Sequence, residues 1–332
     1  MNDLNDIASS QFADDVFDKI DENFDDVKSA IDTLEQSGGG GGGTSTGLEK
    51  VFVNDRVANY KGTIKVLALG NSYAQNSLAY IGDFLDAASA QGSEYYVKTY
   101  RPPGQSLSGW WSIIGDNAYS GLDPVTRGSA SMSSAATTGF RGELSKDWDI
   151  VSIQQNSDNV ANYSTYEPYI TDIISAIRYH CVNKNVKIAL HMVWDKSIAN
   201  NACDTHLSDI IAATQAVCRK NKIDIVVPTG IAIANARKAF SGNTMMRDTG
   251  GHLAYGVARY VAAATWYQAV FKAFCGTDLS SLEVLHPMGN TYDGVTESAT
   301  NDNDVAVTAS NMVLCQQCAI DAVNNMWKVS NY

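Results

Sequence analysis

A serine, an aspartate and a histidine occupy predicted loop positions in this chain and could together catalyse acyl transfer. Ser72 follows a short apolar run that stops at a glycine, and Asp248 and His252 lie late in the chain in the segment Arg-Asp-Thr-Gly-Gly-His. A serine hydroxyl becomes nucleophilic when an imidazole takes its proton and a carboxylate orients that imidazole. These three residues therefore predict a serine hydrolase.

The turn that carries Ser72 has two possible uses. The run from Ile64 to Leu69 predicts a buried strand, and an apolar helical periodicity starts at Asn76. Ser72 then lies between strand and helix, where backbone N–H groups at a helix N-terminus can stabilise an oxyanion. A serine at this place can also simply cap the helix, because serine is an ordinary N-cap residue. On this stretch alone both uses remain open.

The rest of the chain alternates strand and helix patterns, which predicts a doubly wound α/β fold with a five-stranded parallel sheet. In such sheets, ligands bind at the carboxyl ends of the strands, near the point where the strand order reverses. We therefore expect Ser72, Gly104 and the Gln-Gln-Asn-Ser turn at 154–157 to share one sheet edge. The strands are expected at 64–69, 94–100, 149–154, 186–193 and 223–227, and the helices at 77–91, 167–181, 207–220 and 254–274.

Aromatic residues near this edge are candidates for binding a sugar ring, since aromatic side chains present flat apolar faces. For Trp110 and Trp111 a place in the core fits the sequence equally well. His191 ends the fourth predicted strand and is expected to line the pocket. The candidates for substrate binding are Tyr73, Trp110, Trp111, His191 and Trp194.

Two further features are assigned simpler roles. His286 precedes a proline in a late loop, so a surface or capping position is expected. The segment 115–142 is rich in Ser, Ala, Thr and Gly. A loop of this length usually serves as a lid or a binding loop.

Composition argues against several classes of function. The 332 residues carry a net charge of −12, and residues 1–50 contribute −9 of it, with twelve acidic side chains against three lysines. No basic surface for nucleic acid is expected, no apolar run approaches the ~20 residues of a membrane span, and the N-terminus lacks the pattern of a standard secretory signal. Six scattered cysteines predict occasional buried thiols without a disulfide framework. No metal or organic cofactor is implied.

The N-terminal arm predicts an oligomerisation helix. Apolar residues from Phe17 to Leu34 recur at heptad spacing, and Ala13 extends the pattern. Six glycines at 38–43 then form a flexible tether. A single amphipathic helix docked on the domain is the alternative. We predict a coiled-coil helix over 1–36 that forms a homotrimer through 13–34, a linker over 37–47 and a hydrolase domain over 48–332, an assembly that the mass of the chain in solution would test.

The amino-acid sequence of this arm resembles those of short helices in tail-fibre and other structural proteins of tailed phages. The resemblance covers about thirty residues. It implies a virion location and contacts with other virion proteins. Without that location, the chain is expected to be cytoplasmic or exported by a non-classical route.

Four motifs together resemble the SGNH (GDSL-like) hydrolase superfamily over residues 62–330. In chain order they are Leu-Gly-Asn-Ser at 69–72, the glycine at 104, Gln-Gln-Asn-Ser at 154–157, and the late Asp…His followed by Gly-x-x-Arg-Tyr-x-x-Ala-x-x-Trp-Tyr at 256–267. The resemblance implies a flavodoxin-like three-layer sandwich. It also implies that Ser72 attacks the ester carbonyl, that His252 takes the serine proton and that Asp248 orients His252.

The same resemblance implies the donors of the oxyanion hole. These are the N–H groups of Ser72 and Gly104 and the side-chain amide of Asn156, with Gln155 as runner-up. One departure concerns the acid and the base, because three residues separate Asp248 from His252 where the family has two. Gly250 and Gly251 could absorb the extra residue as a bulge. If they do not, Asp248 is displaced and the site is slow or works as a Ser-His pair.

Two functions from different classes follow. The first is an esterase that removes small acyl groups, above all O-acetyl, from a carbohydrate or polysaccharide, which on a phage tail fibre would be a glycan of the host surface. The second is an esterase-like module that binds a glycan with little or no turnover. The arm, the aromatic residues and the irregular Asp…His spacing favour the second. Hydrolysis of p-nitrophenyl acetate would separate the two.

Overall fold

The computed structural model describes residues 63–88, 94–197 and 204–332. The predicted coiled coil, the trimer contacts at 13–34, the linker at 37–47 and the start of the hydrolase domain lie outside the described residues. The predictions made for them therefore stay predictions.

The described residues form a central six-stranded sheet with the strand order β3-β2-β1-β4-β5-β6. All neighbouring strands are parallel except β2 and β3, which are antiparallel. A separate two-stranded hairpin consists of β7 and β8. The strands are β1 Thr63–Leu69, β2 Glu94–Tyr100, β3 Pro124–Arg127, β4 Ile150–Ile153, β5 Lys187–His191, β6 Ile225–Val227, β7 Thr291–Tyr292 and β8 Val295–Thr296.

The helices pack in two groups on the two faces of this sheet. One group contains α1, α2, α7, α8 and α10, and the other contains α3, α4, α5 and α6. This division follows from right-handed crossovers that run in opposite directions away from β1. The helices are α1 Ser72–Leu78, α2 Ile81–Ala88, α3 Leu107–Asp116, α4 Gly139–Leu144, α5 Tyr169–His180, α6 Leu207–Asn221, α7 Thr229–Ala239, α8 Val257–Trp266, α9 Lys272–Cys275 and α10 Met312–Asn324. A π-helical turn over Tyr267–Phe271 joins α8 to α9, and 3₁₀ turns occupy Tyr163–Thr165 and Leu279–Ser281.

The strand order reverses between β1 and β4. Strands later in the chain than β1 add on both of its sides, β2 on one and β4 on the other. The register pairs Leu69 of β1 with Tyr100 of β2 and with Ile153 of β4, so the three strands end level with one another. The residues after these strands therefore lie side by side, at the place where α/β sheets bind ligands.

The predicted α/β class is confirmed, but the predicted five-stranded parallel sheet is wrong in its number of strands, because a sixth strand joins it in antiparallel orientation. The sixth strand is β3, which lies in the 115–142 segment that was predicted as a loop. Its four residues are too short to show a strand period, and Pro124 at its start suits an edge strand, which needs no N–H at that point. The first helix also begins earlier than expected, at Ser72, and a turn at Ala79–Tyr80 separates it from α2.

The positions of the described cysteines agree with the prediction of occasional buried thiols. Cys315 and Cys318 lie in α10 and are fully buried, as are Cys181 and Cys218, and no disulfide joins any cysteine of the described ranges. Within those same ranges, every helix is too short or too polar to cross a bilayer.

Candidate active site

The turn after β1 brings Ser72 to the start of α1. Gly70 is needed there, because a Cβ at this position would lie 2.2 Å from the Cβ of Ala74 in the helix that folds back over it. Asn71 is the N-cap of α1, and its Oδ1 accepts a hydrogen bond of 2.9 Å from the N–H of Tyr73. The capping role is thus taken by Asn71, and the hydroxyl of Ser72 is left for another partner.

That partner is His252. The Nε2 atom of His252 lies 2.9 Å from Oγ of Ser72. On the other side of the ring, Nδ1 lies 3.0 Å from Oδ1 and 2.9 Å from Oδ2 of Asp248. A carboxylate only accepts hydrogen bonds, so Nδ1 carries the proton and the lone pair of Nε2 faces the serine hydroxyl. This is the tautomer that a general base for Ser72 requires.

The carboxylate of Asp248 is held in its charged form. Partial burial acts to raise the pKa of Asp248, but hydrogen bonds from the ring and the backbone N–H of His252 outweigh it and hold the pKa below its ordinary value. Asp248 therefore stays ionised wherever an imidazole can act as a base.

Gly251 absorbs the extra residue between Asp248 and His252. Its φ is +79°, and its N–H donates to the carbonyl of Asp248 at 3.1 Å, which closes a tight turn. Arg247 N–H then donates to the carbonyl of His252 at 2.7 Å, and an isolated bridge joins Met246 to Leu253. The longer spacing thus forms a closed loop in which the acid and base are in contact.

We expect Gly251→Ala to lower kcat strongly. A Cβ at Gly251 would lie 2.3 Å from Oη of Tyr73 and 2.5 Å from Cβ of Lys196, so the loop that carries His252 would have to move. A displacement of about 1 Å can cost ~100-fold in rate. Gly242→Ala is the matched control, because Gly242 also has a positive φ, of +84°, but an added Cβ there meets nothing within 4 Å.

The measurement for this pair is kcat for p-nitrophenyl acetate beside the melting temperature of each variant. Equal losses of kcat in the two variants would mean that backbone strain alone, and not the position of His252, accounts for the effect.

Two aromatic side chains stabilise the loop that carries Asp248 and His252. Tyr73 and Trp194 stack with their ring centroids 4.4 Å apart and an interplanar angle of 6°. The hydroxyl of Tyr73 donates to the carbonyl of Gly250 at 2.8 Å, and the indole N–H of Trp194 donates to the carbonyl of Gly251 at 2.8 Å. Both side chains are buried. They hold the histidine loop and present no face to a sugar, contrary to the sequence-based assignment.

Two other candidates for substrate binding are also buried. Trp110 is fully enclosed, and its indole N–H donates to the carbonyl of Gly70 at 3.2 Å, beneath the nucleophile turn. His191 is 2% exposed, and burial lowers its pKa to about 3. Trp111 is half-buried and packs against the core. Aromatic residue type alone does not distinguish a stacking platform from a core residue, and here the core reading of Trp110 was the correct one.

The predicted oxyanion donors Ser72, Gly104 and Asn156 follow three neighbouring strands, β1, β2 and β4, whose carboxyl ends are level. Ser72 supplies the first N–H of α1, and N–H groups in the first turn of a helix have no acceptor within it. Nδ2 of Asn156 donates to the carbonyl of Gly104 at 3.3 Å, which places this amide next to the loop after β2. An amide nitrogen has two hydrogens, so one remains for a ligand.

The runner-up, Gln155, is fully used by the protein. Its Oε1 accepts from the N–H groups of Leu107 and Asn156, at 3.2 and 2.9 Å. Its Nε2 donates to the carbonyl and the hydroxyl of Thr165, at 2.9 and 3.2 Å. Gln155 is 1% exposed and therefore shapes the loop, whereas Asn156 is the amide that can face a ligand.

The loops around Ser72 are polar. Gln105, Asn156 and Ser157 are partly exposed there, and Asp248 and Thr249 are exposed. Asp158 forms an ion pair with Lys196 across the ends of β4 and β5. Among the described residues, no group of His, Cys, Asp and Glu side chains is arranged to hold a metal ion.

The prediction for His286 was wrong. Its ring is buried, with Nε2 2.7 Å from Oε2 of Glu297, a carboxylate that also accepts from the hydroxyl of Tyr80. Burial alone would lower the pKa of His286, but its hydrogen bonds to Asp83 and Glu297 raise it. The hydroxyl of Tyr80 accepts from the N–H of Gly256 at 3.0 Å, so this cluster fixes the end of the histidine loop.

Other supports of the site gave no signal in the sequence. Oδ1 of Asn76 accepts from the N–H of Leu253 at 2.7 Å, and Oδ1 of Asp304 accepts from the N–H of Tyr255 at 2.8 Å. These contacts span 177 and 49 residues, and neither has a local motif.

The chain is similar to one protein family in sequence and in fold. A family model described as a domain of unknown function (DUF4886) matches residues 65–278. A DUF4886 family protein from Bacteroides uniformis has a similar structure, with a TM-score of 0.61 and 23% identity over 81% of this chain and 98% of that one. This likeness bears on the fold and agrees with the mostly parallel six-stranded sheet.

More distant neighbours include proteins described as hydrolases. A GDSL-like lipase from Parabacteroides merdae, so described, has a TM-score of 0.43 and 12% identity over 65% of this chain and 98% of that one. A protein from Slackia heliotrinireducens described as an SGNH hydrolase has a TM-score of 0.42 and 13% identity over 60% of this chain and 95% of that one. No curated protein matches the sequence.

Proposed function

Since this chain belongs to the DUF4886 family, whose description assigns no activity, we propose from the geometry of its site that it is a serine ester hydrolase. One observation carries the proposal, the continuous line of hydrogen bonds from Oγ of Ser72 through the ring of His252 to the carboxylate of Asp248. Three side chains from two distant parts of the chain meet in the geometry that activates a serine.

The mechanism follows from the atoms in contact. Oγ of Ser72 attacks the ester carbonyl carbon while Nε2 of His252 takes the hydroxyl proton. The N–H of Ser72, the N–H of Gly104 and Nδ2 of Asn156 stabilise the negative oxygen of the tetrahedral intermediate. When the intermediate collapses, His252 returns the proton to the leaving alcohol. Water then attacks the acyl-enzyme in the same way and releases the acid.

The substrate is proposed to be a small acyl ester of a polar alcohol, with O-acetylated carbohydrate as the leading class. Large hydrophobic side chains that are exposed in the described residues lie outside the loops carrying Ser72, Gly104, Asn156 and His252. A long acyl chain gains about 0.8 kcal/mol for each methylene group that it buries, and polar loops offer little of that gain. Polar side chains at the mouth suit a hydroxylated leaving group.

The preference for short acyl groups is tested with p-nitrophenyl esters of increasing length. We expect kcat/KM to be highest for acetate and to fall from acetate through butyrate to octanoate. Release of acetate from an O-acetylated polysaccharide, measured beside an enzyme-free control, tests the leaving group. A steep rise of kcat/KM with chain length would contradict the proposal and indicate a lipase.

Three sequence features favoured the alternative, a glycan-binding module with little turnover. Two of them no longer support it. The irregular spacing of Asp248 and His252 is absorbed by Gly251, and the two residues are in contact. Most of the aromatic residues expected to stack on sugars are buried. The third reason, the N-terminal arm, lies outside the described residues and bears equally on an enzyme displayed in several copies.

A further inference from the structure

A line of buried polar side chains crosses the carboxyl edge of the sheet beneath Ser72. Its members come from different strand ends, with Asn71 after β1, Gln154 after β4, His191 at the end of β5 and Thr229 after β6. Each is at most 3% exposed.

Hydrogen bonds join these side chains end to end. Oγ1 of Thr229 lies 2.8 Å from Nε2 of His191, and Nδ1 of His191 lies 3.0 Å from Oε1 of Gln154. Nε2 of Gln154 donates to Oδ1 of Asn71 at 2.7 Å. Nδ2 of Asn71 donates to the carbonyl of Gln105 at 3.1 Å, in the loop after β2. The line therefore connects the ends of all five parallel strands.

The direction of each hydrogen bond follows from the groups at the Asn71 end. Oδ1 of Asn71 also accepts from the N–H of Tyr73, so Gln154 must present its NH₂ group to Asn71 and its oxygen to His191. His191 then carries its proton on Nδ1, and its Nε2 is an acceptor that faces the hydroxyls of Thr229 and Ser77, at 2.8 and 3.3 Å. Burial lowers the pKa of His191 to about 3, which agrees with a neutral ring.

The Asn71 end of the line meets two parts of the proposed active site. Through Tyr73 N–H it caps the first turn of α1, which carries the nucleophile. Through the carbonyl of Gln105 it holds the residue next to Gly104, whose N–H is a proposed oxyanion donor. A shift at Asn71 would therefore change the distance between Ser72 and the oxyanion hole.

We propose that His191 and Gln154 are positioning residues, which act through Asn71 to keep Ser72 and the Gly104 loop in register. The catalytic part of this inference rests on the proposed function. Removing the amide of Gln154 leaves Oδ1 of Asn71 with the N–H of Tyr73 as its one remaining donor and leaves Nδ1–H of His191 without its acceptor. Unpaired buried polar groups relax towards other partners, because leaving them unsatisfied is costly.

The test compares Gln154→Met with Gln316→Met. Both glutamines are 1% exposed, and Nε2 of Gln316 donates to the carbonyl of Leu282 and the hydroxyl of Tyr260, in the interior around α10 and α8. We expect Gln154→Met to lower kcat for p-nitrophenyl acetate at least about tenfold with KM little changed, since misplacement acts on the reacting geometry. Gln316→Met should lower the melting temperature by a similar amount and leave kcat within about twofold, because the hydrogen bonds that it loses involve no residue of the proposed active site.

Hydrogen exchange gives a readout that needs no turnover. In Gln154→Met we expect faster exchange in the peptides that cover 70–79 and 104–110, and wild-type exchange in α10. If the wild-type protein cleaves no ester, the proposed function fails, and these exchange rates still decide the positioning role. Wild-type kcat together with wild-type exchange at 70–79 in Gln154→Met would overturn the inference, as would equal kcat losses in the two variants.

Thr229→Val is the second variant if Gln154→Met does not fold. It keeps the shape of the side chain and removes the hydroxyl at the far end of the line, which lies 2.8 Å from Nε2 of His191 and donates to the carbonyl of Met192. A several-fold loss of kcat at unchanged KM is expected. An unchanged kcat with unchanged exchange at 70–79 would contradict a role for the line as a whole.

Discussion

Ser72→Ala is expected to lower kcat for ester hydrolysis at least about 10⁴-fold. The variant removes one oxygen from a half-buried side chain whose capping role belongs to Asn71, so the fold should be kept. The measurement is the hydrolysis of p-nitrophenyl acetate, with circular dichroism and a melting curve to confirm folding. Ser112→Ala, at an exposed serine of α3, is the control and should retain wild-type activity.

A well-folded Ser72→Ala protein with wild-type turnover would end the serine mechanism. The contacts between His252 and Asp248 would then be structural, and a different nucleophile would have to be sought. Loss of activity in Ser112→Ala as well would point to a general loss of folding and not to a missing nucleophile.

Asp248→Asn is expected to lower kcat about 10³- to 10⁴-fold. Asp248 contacts Nδ1 of His252 with both oxygens, at 3.0 and 2.9 Å. An amide NH₂ turned to this nitrogen would favour the ring tautomer with its proton on Nε2, which cannot accept the proton of Ser72. His252→Ala should be as damaging as the serine change, because it removes the base itself.

The control for the carboxylate is Asp116→Asn, which removes the same charge at an exposed position in the last turn of α3. A loss below about tenfold in Asp248→Asn would show that His252 works without its acid and that the site is a Ser-His pair. Full activity in His252→Ala would show that His252 is not the general base.

The proposed catalytic residues could be selected from the sequence because strand ends reveal them. A buried strand that stops at Gly70 places Ser72 at a sheet edge, and the order of the later motifs supplied Gly104, Asn156, Asp248 and His252. The physics behind this is the parallel sheet, in which all carboxyl ends meet at one edge. The spacing of Asp248 and His252 was ambiguous, since only the backbone shows that Gly251 has a positive φ.

The burial of the aromatic residues could not be predicted. Tyr73 and Trp194 are buried because their polar atoms find the carbonyls of Gly250 and Gly251, a contact between distant parts of the chain. A sequence pattern reports which face of an element is apolar, and it does not report what covers that face. The edge strand β3 was missed for a related reason. Its four residues alternate only between exposed and half-buried positions, so it has no apolar face that a sequence pattern could reveal.

The C-terminal residues that stabilise the loop carrying His252 could not be predicted from the sequence either. Asp304, Glu297 and His286 lie beyond residue 278, where the family match ends, and each holds or helps to hold a backbone N–H near α8. His286 had been expected at the surface because it precedes a proline. Its burial depends on the carboxylate of Glu297, which compensates the cost of placing a polar ring in the interior.

The central claim is that Ser72 is a nucleophile activated by His252. The most direct measurement is covalent labelling with a fluorophosphonate, followed by mass spectrometry of the peptides. We predict one label per chain, located on Ser72, absent from Ser72→Ala and formed far more slowly in His252→Ala. A label on another residue, no label at all, or a labelling rate that His252→Ala leaves unchanged would contradict the account.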